Sequence, residues 1–221
     1  MGLSKQIVVL SKSRRPGGCC VAGREVRSAS NGFNFGSWIR PVTLQGGIGD
    51  SDMRLNGGNV PSLLDIVKIP FEKPLPISGQ PENYLIASGE RWKRVGAIQP
   101  CQLPELAENP RTLWGNAHDY VNHVDITWNL PGGQSLYLIK PTQLSLICCF
   151  SHGRRRVKAQ FQYNELCYAL QVTDPVIHRE YTQGQFRQFR LPRGDDYYLC
   201  VSLAAEWEDK HYKLVASIIE A

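Results

Sequence analysis

Two imidazoles and two carboxylates fall within eight residues at His118-Asp119, His123 and Asp125. Such a set could hold a divalent ion and drive hydrolysis. The two histidines are five residues apart, a spacing that does not place them on one helix face. Asn116, Asn122 and Asn129 around them read as a polar connecting segment. A thiol nucleophile at Cys19 or Cys20 is a second option, because Arg14 and Arg15 nearby would lower its pKa. No base for it can be named. Cys148, Cys149 and His152 have loose ligand spacing but no second set to complete a finger, so a buried strand carrying two thiols accounts for them better. The chain has no phosphate-binding glycine loop, no dinucleotide fingerprint and no Cys-x-x-Cys pair. The expectation is therefore a non-catalytic protein with no metal and no cofactor, and Asp195-Asp196 as an ordinary turn.

The stronger signal is charge. The first forty residues hold seven cations (Lys5, Lys12, Arg14, Arg15, Arg24, Arg27, Arg40) and one acid, Glu25. The 221-residue chain as a whole carries only +5. Residues 140–193 carry nine cations and three acids, and residues 194–221 reverse to two and six. Within the second basic stretch Arg154, Arg156, Lys158, Gln160 and Gln162 alternate with Arg155, Val157, Ala159, Phe161 and Tyr163. On a strand that puts three cations and two amides on one face and mainly apolar groups on the other. A cationic stripe can follow a phosphodiester backbone, although for this strand taken alone a solvated face is the better explanation. Aromatic rings lie among these cations: Trp38 beside Arg40, and Phe186 and Phe189 interleaved with Arg187 and Arg190.

Strands must position these residues. Runs of β-branched and aromatic residues, bounded by Gly, Pro, Asn and Asp, predict strands over 6–10, 19–26, 38–42 and 64–69. Others follow over 136–139, 144–149, 156–163, 166–172, 197–202 and 212–219. Short helices are predicted at 103–107, at 109–114 with Asn109 as cap and Pro110 in the first turn, and at 175–181. The boundary is expected between Trp114 and Gly133, giving a first domain over 1–115, a connector over 116–129 and a second domain over 130–221. Five or six strands in under ninety residues, with an insertion after the third, fit a small closed or partly open barrel. A hydrophobic content of 42% suffices for a core. The seven cysteines, mostly in apolar runs with no leader-like segment before them, suit reduced thiols in a cytoplasmic protein. No run reaches the length of a membrane span.

Several segments together resemble the bacterial dual-OB domain family, proteins built from two OB-like barrels. They are Ile7-Val8-Val9-Leu10-Ser11-Lys12-Ser13-Arg14, Cys20-Val21-Ala22-Gly23, Trp38-Ile39-Arg40-Pro41-Val42, Leu63-Leu64-Asp65-Ile66-Val67 and Gln80-Pro81-Glu82-Asn83-Tyr84. Leu199-Cys200-Val201-Ser202-Leu203 and Tyr212-Lys213-Leu214-Val215-Ala216 complete the set, which spans nearly the whole chain. The resemblance implies a mainly β chain of two small OB-like barrels with a few short helices. None of these segments is a catalytic signature. OB barrels offer an open sheet face where oligonucleotides lie.

The function expected is non-catalytic binding of nucleic acid, single-stranded DNA or RNA. Lys12, Arg14, Arg15, Arg24, Arg27 and Arg40 would form one cationic surface. Arg154, Arg156 and Lys158, with Arg187 and Arg190, would form another. Trp38, Phe186 and Phe189 would stack on bases. The competing expectation is an interaction module whose acidic stretch (Asp195, Asp196, Glu206, Glu208, Asp209) meets another protein. A metal-dependent hydrolase centred on His118 and Asp125 is the third.

Overall fold

The computed structural model describes residues 2–15, 18–30, 32–127, 130, 133–151, 153–182, 188–191 and 196–221. The chain is mainly β and divides into two compact units, Met1–Leu106 and Ala107–Ala221. Residues 107–129, expected from sequence to end the first domain and form a connector, cluster with the second unit.

In the first unit three long strands form a meander: β1 (Leu3–Arg15), β2 (Gly18–Ala29) and β3 (Gly32–Val42). After a loop come β4 (Asp65–Pro74), β5 (Asn83–Ile86) and β6 (Lys93–Ala97). β1 pairs antiparallel with both β2 and β4, β3 runs parallel to β5, and β5 pairs with β4. The five strands therefore close in the order β1-β2-β3-β5-β4, with β6 added to the outside of β4. Inward residues such as Ile7, Val9, Val21, Ile39, Val67, Ile69 and Trp92 fill the core. β1 carries a register shift against β2 between Val9 and Ser11. There Gly23 lies so near β1 that a Cβ on it would fall 1.9 Å from the Val8 carbonyl oxygen, so only glycine admits the approach. A single-turn α1 (Leu103–Leu106), where the sequence predicts a short helix, ends the unit.

The second unit holds β7 (Tyr120–Asn122), α2 (His123–Thr127), β8 (Leu136–Ile139), β9 (Thr142–Ser151), β10 (Arg154–Tyr163) and β11 (Leu166–Val172). These are followed by α3 (Pro175–Tyr181), β12 (Gln188–Arg190), β13 (Tyr197–Leu203) and β14 (Lys210–Glu220). The order β9-β10-β11-β14-β13, with β11 parallel to β14, repeats the order of the first unit. β8 extends it beyond β13, and β12 lies on β9. Leu146, Val157, Ala159, Phe161, Leu170, Leu199, Val201 and Val215 lie in its core. The helix predicted over 175–181 is present as α3. Asp174 caps α3 by accepting from the backbone N–H of Val176 and Ile177, and its other oxygen accepts from Ile218 N–H on β14.

The helix predicted over 109–114 does not form; the segment is a chain of bends and turns. Its intended cap is engaged elsewhere, because Asn109 Oδ1 accepts from Tyr163 Oη (3.0 Å) and Asn164 Nδ2 (3.2 Å). Trp114 is in the left-handed region at φ 55°, which ends any right-handed helix. Helix α2 and strand β7, inside the expected connector, were not signalled by periodicity because each is so short.

Candidate nucleic-acid interface

β10 carries the predicted stripe. Val157, Ala159, Phe161 and Tyr163 are buried, while Arg154 and Gln160 are exposed and Arg156, Lys158 and Gln162 are half-buried. The alternation follows from the apolar residues taking the core side of a two-residue period. The neighbours in register add no acid. Arg156 lies opposite Cys149, Lys158 opposite Ile147 and Gln171, Gln160 opposite Ser145 and Ala169, and Gln162 opposite Cys167. At about 6.8 Å per two residues the three cations extend over about 14 Å. None of them forms an ion pair with a described residue. Phe150, near the end of β9 and opposite Arg155, is 64% exposed, but it shares the face of Arg155, Val157 and Ala159 and so lies on the other side of the sheet from this stripe. Arg155 itself donates to the Thr182 carbonyl (2.7 Å). β12 brings Gln188 opposite Ile147 and Arg190 opposite Ser145, with Phe189 opposite Leu146. Phe186 and Arg187 lie outside the described residues.

The cations of the first unit do not assemble as expected. Arg40 is 4% exposed and pairs with the equally buried Glu82 (Nη2 to Oε1, 2.9 Å), where it ties β3 to the segment entering β5. It is a structural residue, since an arginine so buried and paired presents no charge to a phosphate. Trp38 is also buried, at 3%, and Arg24 sits over its ring at 5.9 Å; it offers no face to a base. Arg27 (3.3 Å) and Lys5 (2.9 Å) share the two oxygens of Glu25, the single acid of the N-terminal block. Lys12 donates to the Pro61 carbonyl. The Arg15 side chain lies along Gly46-Gly47, where an added Cβ would come within 2.8 Å of its Cδ. Arg14 is exposed at the end of β1. Sequence alone cannot separate a cation in water from one facing Glu25 or Glu82, because the partner depends on strand pairing.

The chemical alternatives fare differently from one another. Burial pushes the Cys19 thiol up to about 11, with Lys12 opposing, so the thiol is less nucleophilic than an ordinary cysteine. Its sulfur lies 3.9 Å from Met53 Sδ. His118 stacks near-parallel on Tyr120, His123 bonds to His211, and Asp125 accepts from Asn122. These groups therefore turn to separate partners. Among the described residues no cluster of three His, Cys, Asp or Glu side chains is arranged to hold a metal. No described helix is long and apolar enough to cross a membrane.

The family model described as Dual OB-containing domain matches residues 5–218. The chain belongs to that family. No curated protein matches it. In dual-OB terms the shared strand order of the two units is one OB topology used twice, with the first copy closed. The face of strands two and three, and the loops after strands one and four, are where OB folds take oligonucleotides. In the second copy strand two is β10, so the stripe occupies that face. The loop after strand four there is 204–209; its exposed Glu206, Glu208 and Asp209 set it apart from the cationic row, and its Trp207, 60% exposed, was overlooked in the sequence because those acids surround it.

Proposed function

We propose that this dual-OB protein binds single-stranded nucleic acid, without catalysis, on the outer face of β9, β10 and β11. The carrying observation is the Arg154-Arg156-Lys158 row, set on the second strand of an OB topology with no carboxylate at any register-matched neighbour. Phosphates would follow the row. Gln160 and Gln162 extend the strip with neutral donors and acceptors. Arg14 at the end of β1 is a further cation available to the same ligand class.

The test is fluorescence anisotropy with a labelled 20-nucleotide oligo-dT and oligo-U between 50 and 200 mM salt. Three neutralised phosphates contribute a log–log salt slope of about −2, or a roughly 20-fold loss of affinity over that range. The variant Arg154→Gln/Arg156→Gln/Lys158→Gln should lose that part of the slope while keeping its circular dichroism spectrum. Affinity unaffected by salt, or a triple variant that binds like the parent, would overturn the assignment.

A further inference from the structure

A second surface in the same unit has the opposite character. Four rings make a continuous ladder: His118 to Tyr120 (5.8 Å), Tyr120 to Tyr212 (6.2 Å) and Tyr212 to Trp207 (5.9 Å). The ladder is held by tight local structure. Trp207 and Lys210 exchange backbone hydrogen bonds (2.9 and 3.1 Å) around Glu208 and Asp209, both left-handed at φ 50° and 59°, as in a two-residue hairpin turn. Asp209 N–H donates to Glu206 Oε1, and the Asp209 carbonyl accepts from His123 N–H. Beneath them His211, fully buried, shares a 2.9 Å hydrogen bond with His123. Lys213 fixes the 116–119 segment through its backbone N–H to the Asp119 carbonyl and its ammonium to both oxygens of Asn116. The rings are thus set in place before any partner arrives, which lowers the ordering cost of binding.

Charge decides what this surface fits. Asp119, Asp125, Glu206, Glu208 and Asp209 are exposed on these same segments, against one lysine, Lys210. That field repels a phosphate backbone. The ladder already holds one cation, since the Lys210 ammonium lies 4.6 Å over the Tyr120 ring. Trp207, at 60% exposure, and Val124, at 68% on α2, leave apolar surface open beside the acids. We propose that this patch docks an arginine-bearing segment of a partner protein. A guanidinium can lie flat on Trp207 while its edge forks onto carboxylates, which a lysine ammonium cannot do. The proposal is independent of the nucleic-acid assignment and uses different residues.

The experiment uses the full chain and a synthetic ten-residue peptide of alternating arginine and glycine, titrated by calorimetry and by ¹H–¹⁵N NMR of the indole signals. Saturable binding with a shift of the Trp207 indole resonance is expected. Trp207→Ala should weaken it at least about five-fold, and Glu208→Gln/Asp209→Asn by a similar factor, with the anisotropy of oligo-dT binding unchanged in both. The lysine-for-arginine peptide should bind several-fold more weakly. Equal binding of the lysine and arginine peptides, or unchanged affinity in Trp207→Ala, would overturn the proposal. So would oligo-dT shifting the Trp207 indole, which would make the patch part of the nucleic-acid site. Self-association of the parent abolished by Trp207→Ala would make a second copy the occupant and overturn it equally.

Discussion

Replacing Lys213 by methionine should change how stability responds to pH. The side chain is 1% exposed, its ammonium donates to the Asn116 carbonyl (2.8 Å) and Oδ1 (2.7 Å), and it lies 5.7 Å over the Tyr168 ring. Burial pushes its pKa down to about 7 from an ordinary 10.5, with Asp119 opposing. Between those values the unfolded chain binds the proton that the folded chain releases, so unfolding free energy rises with pH. The contribution is present in full above 10.5 and is lost as pH falls through 7. From pH 7.0 to 8.5 this one group adds about 1.6 kcal/mol, taking about 1.4 kcal/mol per unit once the folded form is deprotonated. The window is chosen to end before two opposing groups act. Burial raises Cys19 to about 11 and Tyr163 to about 12, so their contributions fall away only as pH climbs beyond the ordinary 9 and 10. His211, lowered chiefly by burial, acts below its ordinary 6.5. Urea unfolding of the parent and Lys213→Met at pH 7.0, 7.5, 8.0 and 8.5 should show the parent gaining stability across the series relative to the variant. A ¹³Cε-lysine titration should find one resonance moving near neutral pH. A constant difference between the two proteins at all four values, or a Lys213 resonance titrating above pH 10, would refute the reasoning.

Arg40→Met should cost about 3–5 kcal/mol, because it leaves Glu82 buried without its ion partner; the double variant with Glu82→Met should recover much of that in urea unfolding. Gly23→Ala, which drives a Cβ to 1.9 Å from the Val8 oxygen, should destabilise the first unit by at least about 3 kcal/mol, seen as loss of amide protection in β1 and β2. Phe150→Ala, which removes an exposed ring on the opposite sheet face from the cationic row, should leave oligonucleotide affinity in the anisotropy assay unchanged within about two-fold; a larger loss would show that the ligand does not lie on the face of Arg154, Arg156 and Lys158. Asp174→Ala should cost about 1–2 kcal/mol by removing the α3 cap, measured by thermal unfolding.

Much of the fold was legible in the residues themselves. A two-residue apolar period requires one face of β10 to be buried, so the row of Arg154, Arg156 and Lys158 on the other face followed from the order of residues alone. The short helix expected over 175–181 is there as α3. Tertiary pairing decided the rest. Whether Arg40, Arg27 and Lys5 present charge depends on Glu82 and Glu25, which strand register brings beside them and sequence distance conceals. Asn109 had cap chemistry, yet the hydroxyl of Tyr163, fifty-four residues on, took its oxygen. The ring ladder joins residues 118–120 to 207–212 through the pairing of β7 with β14, an antiparallel contact of three residues that no local pattern encodes. Local sequence fixes which side of an element is apolar because that depends on period; which charge meets which depends on chain segments far apart, and only the folded chain supplies that.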